Sequence, residues 1–290
     1  MPPQPAERPL AAIAAQFCCF TAVSANDVVL KMLVAEVPSS WQLMATRSGI
    51  GLIYLMPFVI WHLARGTARI STRRFGGHLG RACLSAISVF CYFEALRDLD
   101  LPVATAILFV TPFFVVALSG LFLREAVPPN RWIAVVVGFV GALIIIRPGP
   151  AGVSIAALLA LVSAATWAAT MVAMRNLTKT EGNLAVVFYF NLLVTLIAGT
   201  LAFPSLQPMA WKTLAIIAWV SVVQLISQYF MMVAFRFASA SVTAPVQYVQ
   251  LIWSVIAGWL VFSVLPGPHV FVGAAVIVAS GLYLILSERR

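Results

Sequence analysis

Leu184–Phe203 reads LAVVFYFNLLVTLIAGTLAF, twenty residues without an Asp, Glu, Lys or Arg. About 20 apolar residues are what an α-helix needs to cross the hydrocarbon layer of a bilayer. Inside that layer every backbone N–H and C=O needs an internal partner, so the stretch is read as a transmembrane helix. Similar runs extend outward from it: Leu10–Val34, Trp41–Leu63, His78–Arg97, Pro102–Leu123 and Arg131–Ile146 in the first half, then Val153–Arg175, Trp211–Arg236, Ala240–Val264 and Val270–Leu286. Breakers separate several of them: Pro38, Pro128 with Pro129, Pro148, and Pro266-Gly267-Pro268. Composition agrees, since 62% of the 290 residues are hydrophobic and 9% are charged. A soluble domain carries about 25% charged residues. An ordinary globular enzyme is thereby excluded, and the missing polar surface must face lipid. Ten crossings use roughly 200 positions, so the connections are short.

The fold expected is an all-α polytopic membrane protein, with ten transmembrane helices arranged as two inverted five-helix repeats. A net charge of +9 would suggest nucleic acid in a soluble protein, but here the charges sit between apolar runs and read as orientation signals. With both termini cytoplasmic, the inner segments collect Arg8, Arg65, Arg69, Arg73, Arg74, Arg81, Arg124, Arg131, Arg175, Lys179, Arg236, Arg289 and Arg290. The outer segments collect only Arg97, Arg147 and Lys212. The expected placement is multi-pass in a bacterial inner membrane, with no nucleic-acid partner. Cys18, Cys19, Cys83 and Cys91 lack metal-site spacing and are read as buried small hydrophobes. Met1–Pro9 has no strongly basic segment, so the first helix is expected to be retained.

A shift of 139 positions lays Ala95-Leu96-Arg97 over Ala234-Phe235-Arg236, Val103 over Val242, and Phe109-Val110 over Tyr248-Val249. Both halves then hold five spans at the same spacing, and an odd repeat inverts its second copy, the arrangement that encloses a central path in many carriers. The division expected is a tail over residues 1–9, repeats over 10–147 and 152–287, and a tail over 288–290.

Charges within spans are costly and face a partner or a water-filled cavity. Asn26, Asp27 and Lys31 form one such cluster in the first helix, and the i,i+4 spacing of Asp27 and Lys31 also permits a local ion pair that only fixes packing. Arg47 has no acid one turn away, which leaves Asp27 or a carboxylate-bearing solute as its partner. Glu94 is near enough to Arg97 for an interfacial pair, and otherwise neutralises Arg47 or takes up a proton. Gln224 and Gln228, then Gln247, Tyr248 and Gln250, give the eighth and ninth spans polar faces that either hydrogen-bond a solute or join helices. Tyr92 and Trp167 are candidates for an apolar wall, and Asn191 is a weaker cavity candidate. Pro112 and Pro245 are possible hinges, because proline removes a backbone hydrogen bond. Gly138, Gly141, Gly273 and Gly281 suit close packing of the last helix of each half. No phosphate loop, HExxH motif or zinc spacing occurs, so no cofactor and no metal are expected, and no nucleophile and base stand at a diagnostic spacing for an enzyme.

The boundary Gly120-Leu121-Phe122-Leu123-Arg124-Glu125 followed by Pro128, with Gly138 and Gly141 in the next helix and Arg47 in Met44-Ala45-Thr46-Arg47, resembles the EamA-like branch of the drug/metabolite transporter superfamily. The second half departs from that pattern, with Val261-Phe262-Ser263-Val264 where the family has a glutamate. The resemblance implies alternating access between inverted halves and a small-molecule solute. It also implies most similarity to amino-acid exporters, with aromatic amino acids as a candidate class. Purines, other metabolites and organic cations are alternatives, and a membrane scaffold or small intramembrane enzyme is the reading from outside transport. Partners expected are the solute, the lipid bilayer and protons as a candidate coupling ion, in a monomer or weak dimer.

Overall fold

A computed structural model of the chain describes residues 9–66, 70–122, 129–147, 154–177, 180–237 and 244–287. These residues form helices and connections, with no strand among them. The helices are α1 (Pro9–Glu36), α2 (Ser40–Ala64), α3 (Phe75–Asp98), α4 (Leu101–Leu108), α5 (Thr111–Phe122), α6 (Pro129–Ile146), α7 (Ile155–Leu177), α8 (Asn183–Ala202), α9 (Trp211–Phe237), α10 (Val249–Phe262) and α11 (Pro268–Ser287). Short 3₁₀ turns at Phe203–Ser205 and Ala244–Tyr248 lead into the eighth and ninth spans. Seven segments are long and apolar enough to cross a membrane, and Trp132–Ile146, Val246–Phe262 and Pro268–Tyr283 are shorter apolar helices, which together make the ten expected spans.

Two spans are discontinuous, and both breaks carry a proline singled out above. The fourth span is split into α4 and α5 at Phe109-Val110, and Pro112 occupies the first turn of α5, where its missing N–H would have had no helical partner. Pro245 lies in the 3₁₀ turn that opens the ninth span. Neither proline therefore kinks a continuous helix. Pro57, inside α2, does sit within one. The Leu123–Pro128 part of the family-like boundary lies outside the described residues.

Helices pair in a pattern that is preserved when the first five spans are exchanged with the last five. α3 packs on α7 as α1 packs on α9, while α2 with α8 and α6 with α11 are pairs that map onto themselves. The α6–α11 pair is held by glycines. A Cβ on Gly141 would lie 2.9 Å from the Gly273 carbonyl oxygen, and one on Gly273 would lie 2.6 Å from that of Gly141, so the backbones touch where side chains would keep them apart. Gly281 serves a different neighbour, leaving room for the Tyr248 hydroxyl. Around the bundle, Ile53, Val136, Leu260, Phe203 and Trp211 project outward as a lipid-facing surface. Cys19 and Cys91 are buried as expected, whereas Cys18 and Cys83 are exposed, and all four are free thiols.

Candidate functional site

The centre of the bundle is polar where α1, α2, α3, α9 and α10 meet. Asn26 and Asp27 of α1 are both buried there. The Asp27 Oδ2 accepts from Gln250 Nε2 of α10 at 2.8 Å. Gln224 of α9 presents its Oε1 to two donors, Arg47 Nη2 of α2 at 2.6 Å and Asn26 Nδ2 at 3.4 Å. Ser221, one turn earlier on α9, donates to the Arg47 carbonyl at 3.1 Å. Residues 221 and 224 share a helix face, so α9 grips α2 by its backbone and its guanidinium together.

Charge in this cluster is balanced at a distance. Arg47 lies within electrostatic range of Asp27 and Tyr92, but among the described residues it forms no direct ion pair with a carboxylate. Amides stand where a carboxylate would be, and an uncompensated buried charge is costly. The Asn26 Oδ1, the Tyr92 hydroxyl and Thr105 Oγ1 of α4 are buried without a well-formed hydrogen bond. Buried polar atoms are ordinarily satisfied by protein or solvent. The cluster therefore offers one carboxylate, one guanidinium, three amides and one phenol, with unused capacity on the amide, the phenol and the hydroxyl.

The remaining sequence candidates lie elsewhere. The Asp27–Lys31 pair suggested by spacing does not form. Lys31 Nζ donates instead to the carbonyls of Leu96 and Leu99, the latter at 2.8 Å, because the end of α3 exposes carbonyls that no later turn satisfies. Glu94 belongs to the α1–α2 elbow: it accepts from Ser40 Oγ at 2.6 Å and pairs with Arg97 at 3.3 Å. Arg97 adds bonds to Val34, Val37 and Pro38 carbonyls at 2.5, 3.0 and 2.9 Å, so the pair with Glu94 fastens the α1–α2 elbow. Tyr248 stacks in tilted fashion on Phe109 at 5.3 Å, with half-buried Gln247 beside it. Trp167 is 39% exposed on α7, and no described contact joins it to the central cluster. Asn191 donates to the Val187 carbonyl of its own helix. The Gln228 side chain lies outside the described part.

The sequence reading missed several polar residues. Gln16 is buried with an unpartnered Oε1, Thr105 is buried beside the Tyr92 hydroxyl, and Trp253 of α10 donates to Thr21 of α1 at 3.1 Å. Gln42 and Gln207 exchange two hydrogen bonds across the halves, at 2.6 and 3.1 Å. Arg81, counted above as a loop charge, is buried. Isolated Gln and Thr in apolar runs carry no spacing signal of their own, which is why they escaped.

Residues 10–147 and 154–287 both match the EamA-like transporter family. The chain belongs to that family. Among its relatives is a riboflavin transporter of Rhizobium johnstonii, 32% identical over 83% of this chain and 80% of the relative. A pseudopaline exporter of Pseudomonas aeruginosa is 29% identical over 92% and 93%, and an S-adenosylmethionine uptake transporter of Rickettsia felis is 27% identical over 92% and 90%. A solved crystal structure superposes on 96% of this EamA-like chain and 98% of its own, with a TM-score of 0.64 at 19% identity, which shows the shared fold. The family makes this protein a multi-pass membrane transporter of small solutes. None of these three relatives is named for amino-acid export, so the finer substrate reading does not follow from them.

Proposed function

We propose that this EamA-like chain is an alternating-access carrier for a polar metabolite that is held in the Asn26–Asp27–Arg47–Tyr92–Gln224–Gln250 cluster. The observation that carries this reading is the cluster itself: charged groups meet at the centre of a lipid-embedded bundle without pairing directly, and each is met by a separate neutral amide, Asp27 by Gln250 and Arg47 by Gln224. Three amides and a phenol suit a solute edge that carries both donors and acceptors, such as the carbonyl and imide edge of a flavin or pterin ring. The riboflavin transporter among the relatives supports that class. Amino acids are the second reading, favoured by one specific feature: Arg47 meets a carboxylate and Asp27 an ammonium in a single zwitterion. Outward movement and proton coupling are carried as part of that second reading.

Residues 10–147 and 152–287 are proposed as the inverted halves, supported by the exchange-symmetric helix pairing. Both termini are proposed to be cytoplasmic, supported by the basic residues of the inner segments; an epitope tag after Arg290 that reacts in intact cells contradicts this. The function is tested by flux into proteoliposomes, with and without a pH gradient, using labelled riboflavin, S-adenosylmethionine, phenylalanine, adenine and tetraphenylphosphonium. Uptake of riboflavin above protein-free liposomes supports the first class, and uptake of phenylalanine alone supports the second. Movement of only the purine or the cation overturns both substrate readings, and covalent turnover without compartments overturns transport.

A further inference from the structure

α3 carries a second polar feature that the central cluster does not use. His78, Arg81, Ser85, Ser88 and Tyr92 follow at intervals of three and four residues. At 100° per residue these five positions fall within an arc of about 80°, and they run about 21 Å along the helix axis. All five are buried. Such spacing on an apolar stripe would hold Leu or Ile, as core-facing helices do. Here it joins Tyr92, at the central cluster, to the end of α3 that follows the basic 65–74 connection.

The polar atoms along this face are under-used. His78 Nδ1, Arg81 Nε and Ser85 Oγ are buried without a hydrogen-bond partner, while His78 Nε2 faces Glu181 at 3.9 Å and the Tyr92 hydroxyl lies beside Thr105 without a well-formed bond. Ser88 alone is well satisfied, donating to the Ser163 carbonyl at 2.9 Å. Arg81 lies over the Phe190 ring at 4.3 Å and donates to the Val186 carbonyl at 3.1 Å and to Met174 Sδ at 3.5 Å. Among the described residues it has no carboxylate partner. A planar guanidinium is built for bidentate oxyanion recognition, and Arg81 meets only a carbonyl, a thioether and a ring among the described residues, with Nε left over.

One carboxylate already sits at the mouth of this face. Glu181, in the α7–α8 connection, places Oε2 3.9 Å from His78 Nε2, and its Oε1 accepts from the Arg73 backbone N–H at 3.4 Å. Arg74 fastens the same connection through the Asn176 carbonyl and Thr180 Oγ1, both at 3.2 Å. The groups that face His78 are thus Glu181 from the connection, the Tyr189 ring of α8 at 5.0 Å, Arg81 from its own helix and Arg74 at the cap before it. Glu181 shows which chemistry the mouth accepts, and it closes the mouth in this state. Arg81 is 8% exposed between α3 of one half and α8 of the other, so it is reached only where the halves part, as they must for a solute to pass between them.

We infer that this face of α3 is the inner half of the solute path, and that His78 with Arg81 forms a second station that takes an oxyanion group of the passing solute. Glu181, 3.9 Å from His78 Nε2, is the group that an entering oxyanion displaces from the station. The inference rests on the transport reading only in treating the face as a path.

The test uses the full-length chain with Cys18, Cys19, Cys83 and Cys91 replaced by alanine, carrying Ser85→Cys. It is labelled from the side of the 65–81 connection with the anionic reagent MTSES and the cationic reagent MTSET. Ser85→Cys is nearly isosteric, and Ile87→Cys on the exposed opposite face supplies the lipid-side control. The expected result is labelling of Ser85→Cys about ten times faster by MTSES than by MTSET, loss of that preference in Arg81→Gln, and neither reagent reacting at Ile87→Cys. Absence of labelling at Ser85→Cys, or labelling without a charge preference, overturns the station. A chain that labels as expected but moves no solute in proteoliposomes keeps the station and loses the substrate reading, so the two failures are distinct.

Discussion

Among the described residues Gln224 is the side-chain acceptor for both Arg47 and Asn26, so removing it strands two donors. A hydrogen bond to a charged group contributes about 1.5–3 kcal/mol, and Gln224→Leu is expected to raise the apparent solute dissociation constant by about 10- to 100-fold, measured by equilibrium binding of the labelled solute that the protein carries. Arg97 acts at the other kind of site. It donates to three elbow carbonyls and to Ser40, and it pairs with Glu94. Those bonds are partly solvent-accessible, so Arg97→Ala is expected to cost about 2–4 kcal/mol in total, read as a lower melting temperature in detergent. Trp167→Phe is expected to change neither melting nor flux, since its ring is exposed on α7. At this scale the sequence was informative about charge and weak about partners. Asp27 and Arg47 stood out because charge is rare in lipid, but spacing pointed Lys31 toward Asp27 when the free carbonyls at the end of α3 are the stronger claimant. Arg81 was hidden because a basic residue near a span end ordinarily marks a loop.

The α6–α11 contact makes the sharpest prediction at the scale of elements. A side chain at Gly273 would collide with Gly141 backbone oxygen at 2.6 Å and with Ile145 Cγ1 at 2.5 Å. Overpacking of this kind costs about 1–3 kcal/mol or more, and backbone cannot step aside as a flexible side chain can. Gly273→Val is therefore expected to lower the yield of folded protein severalfold, measured by monodisperse recovery on size-exclusion chromatography, while Gly76→Val, whose Cβ meets nothing within 4 Å, leaves recovery unchanged. Gln42 and Gln207 form a latch between α2 and the segment before α9. Two neutral hydrogen bonds are worth about 1–3 kcal/mol, so Gln42→Leu is expected to shift the chain toward the state open at that end. The shift is read as a 5- to 100-fold faster reaction of Ser221→Cys with MTSET applied from that side. The close glycine packing was legible from Gly141 and Gly273, because small residues at helical spacing have few other uses in lipid, whereas Gly138 makes room for the Phe113 ring of α5. The discontinuities were only half legible. Pro112 and Pro245 marked the right places, but a proline at the first turn of a new helix and a proline within a continuous helix look alike until the flanking residues are seen to leave the helix.

Across the whole molecule, the ten apolar runs and the short connections between them were written plainly in composition, because a span in hydrocarbon has one viable backbone state. Which runs touch was not written there. α3 on α7 and α1 on α9 are contacts between halves, and apolar helices of similar composition carry little that distinguishes one neighbour from another. The pairing places every cluster residue from α1 and α2 opposite α9 or α10, so Asp27 and Arg47 are each answered by an amide of the other half. Movement of one half against the other must break or remake those bonds, and a solute that replaces them would couple its own binding to the movement. The most direct test is flux of the carried solute in proteoliposomes holding equal amounts of wild type, Asp27→Asn and Arg47→Lys, with melting temperatures recorded for each. Wild-type flux falling at least tenfold in both variants, at unchanged melting temperature, is the result predicted. Both variants carrying solute at the wild-type rate would contradict a solute site built on Asp27 and Arg47.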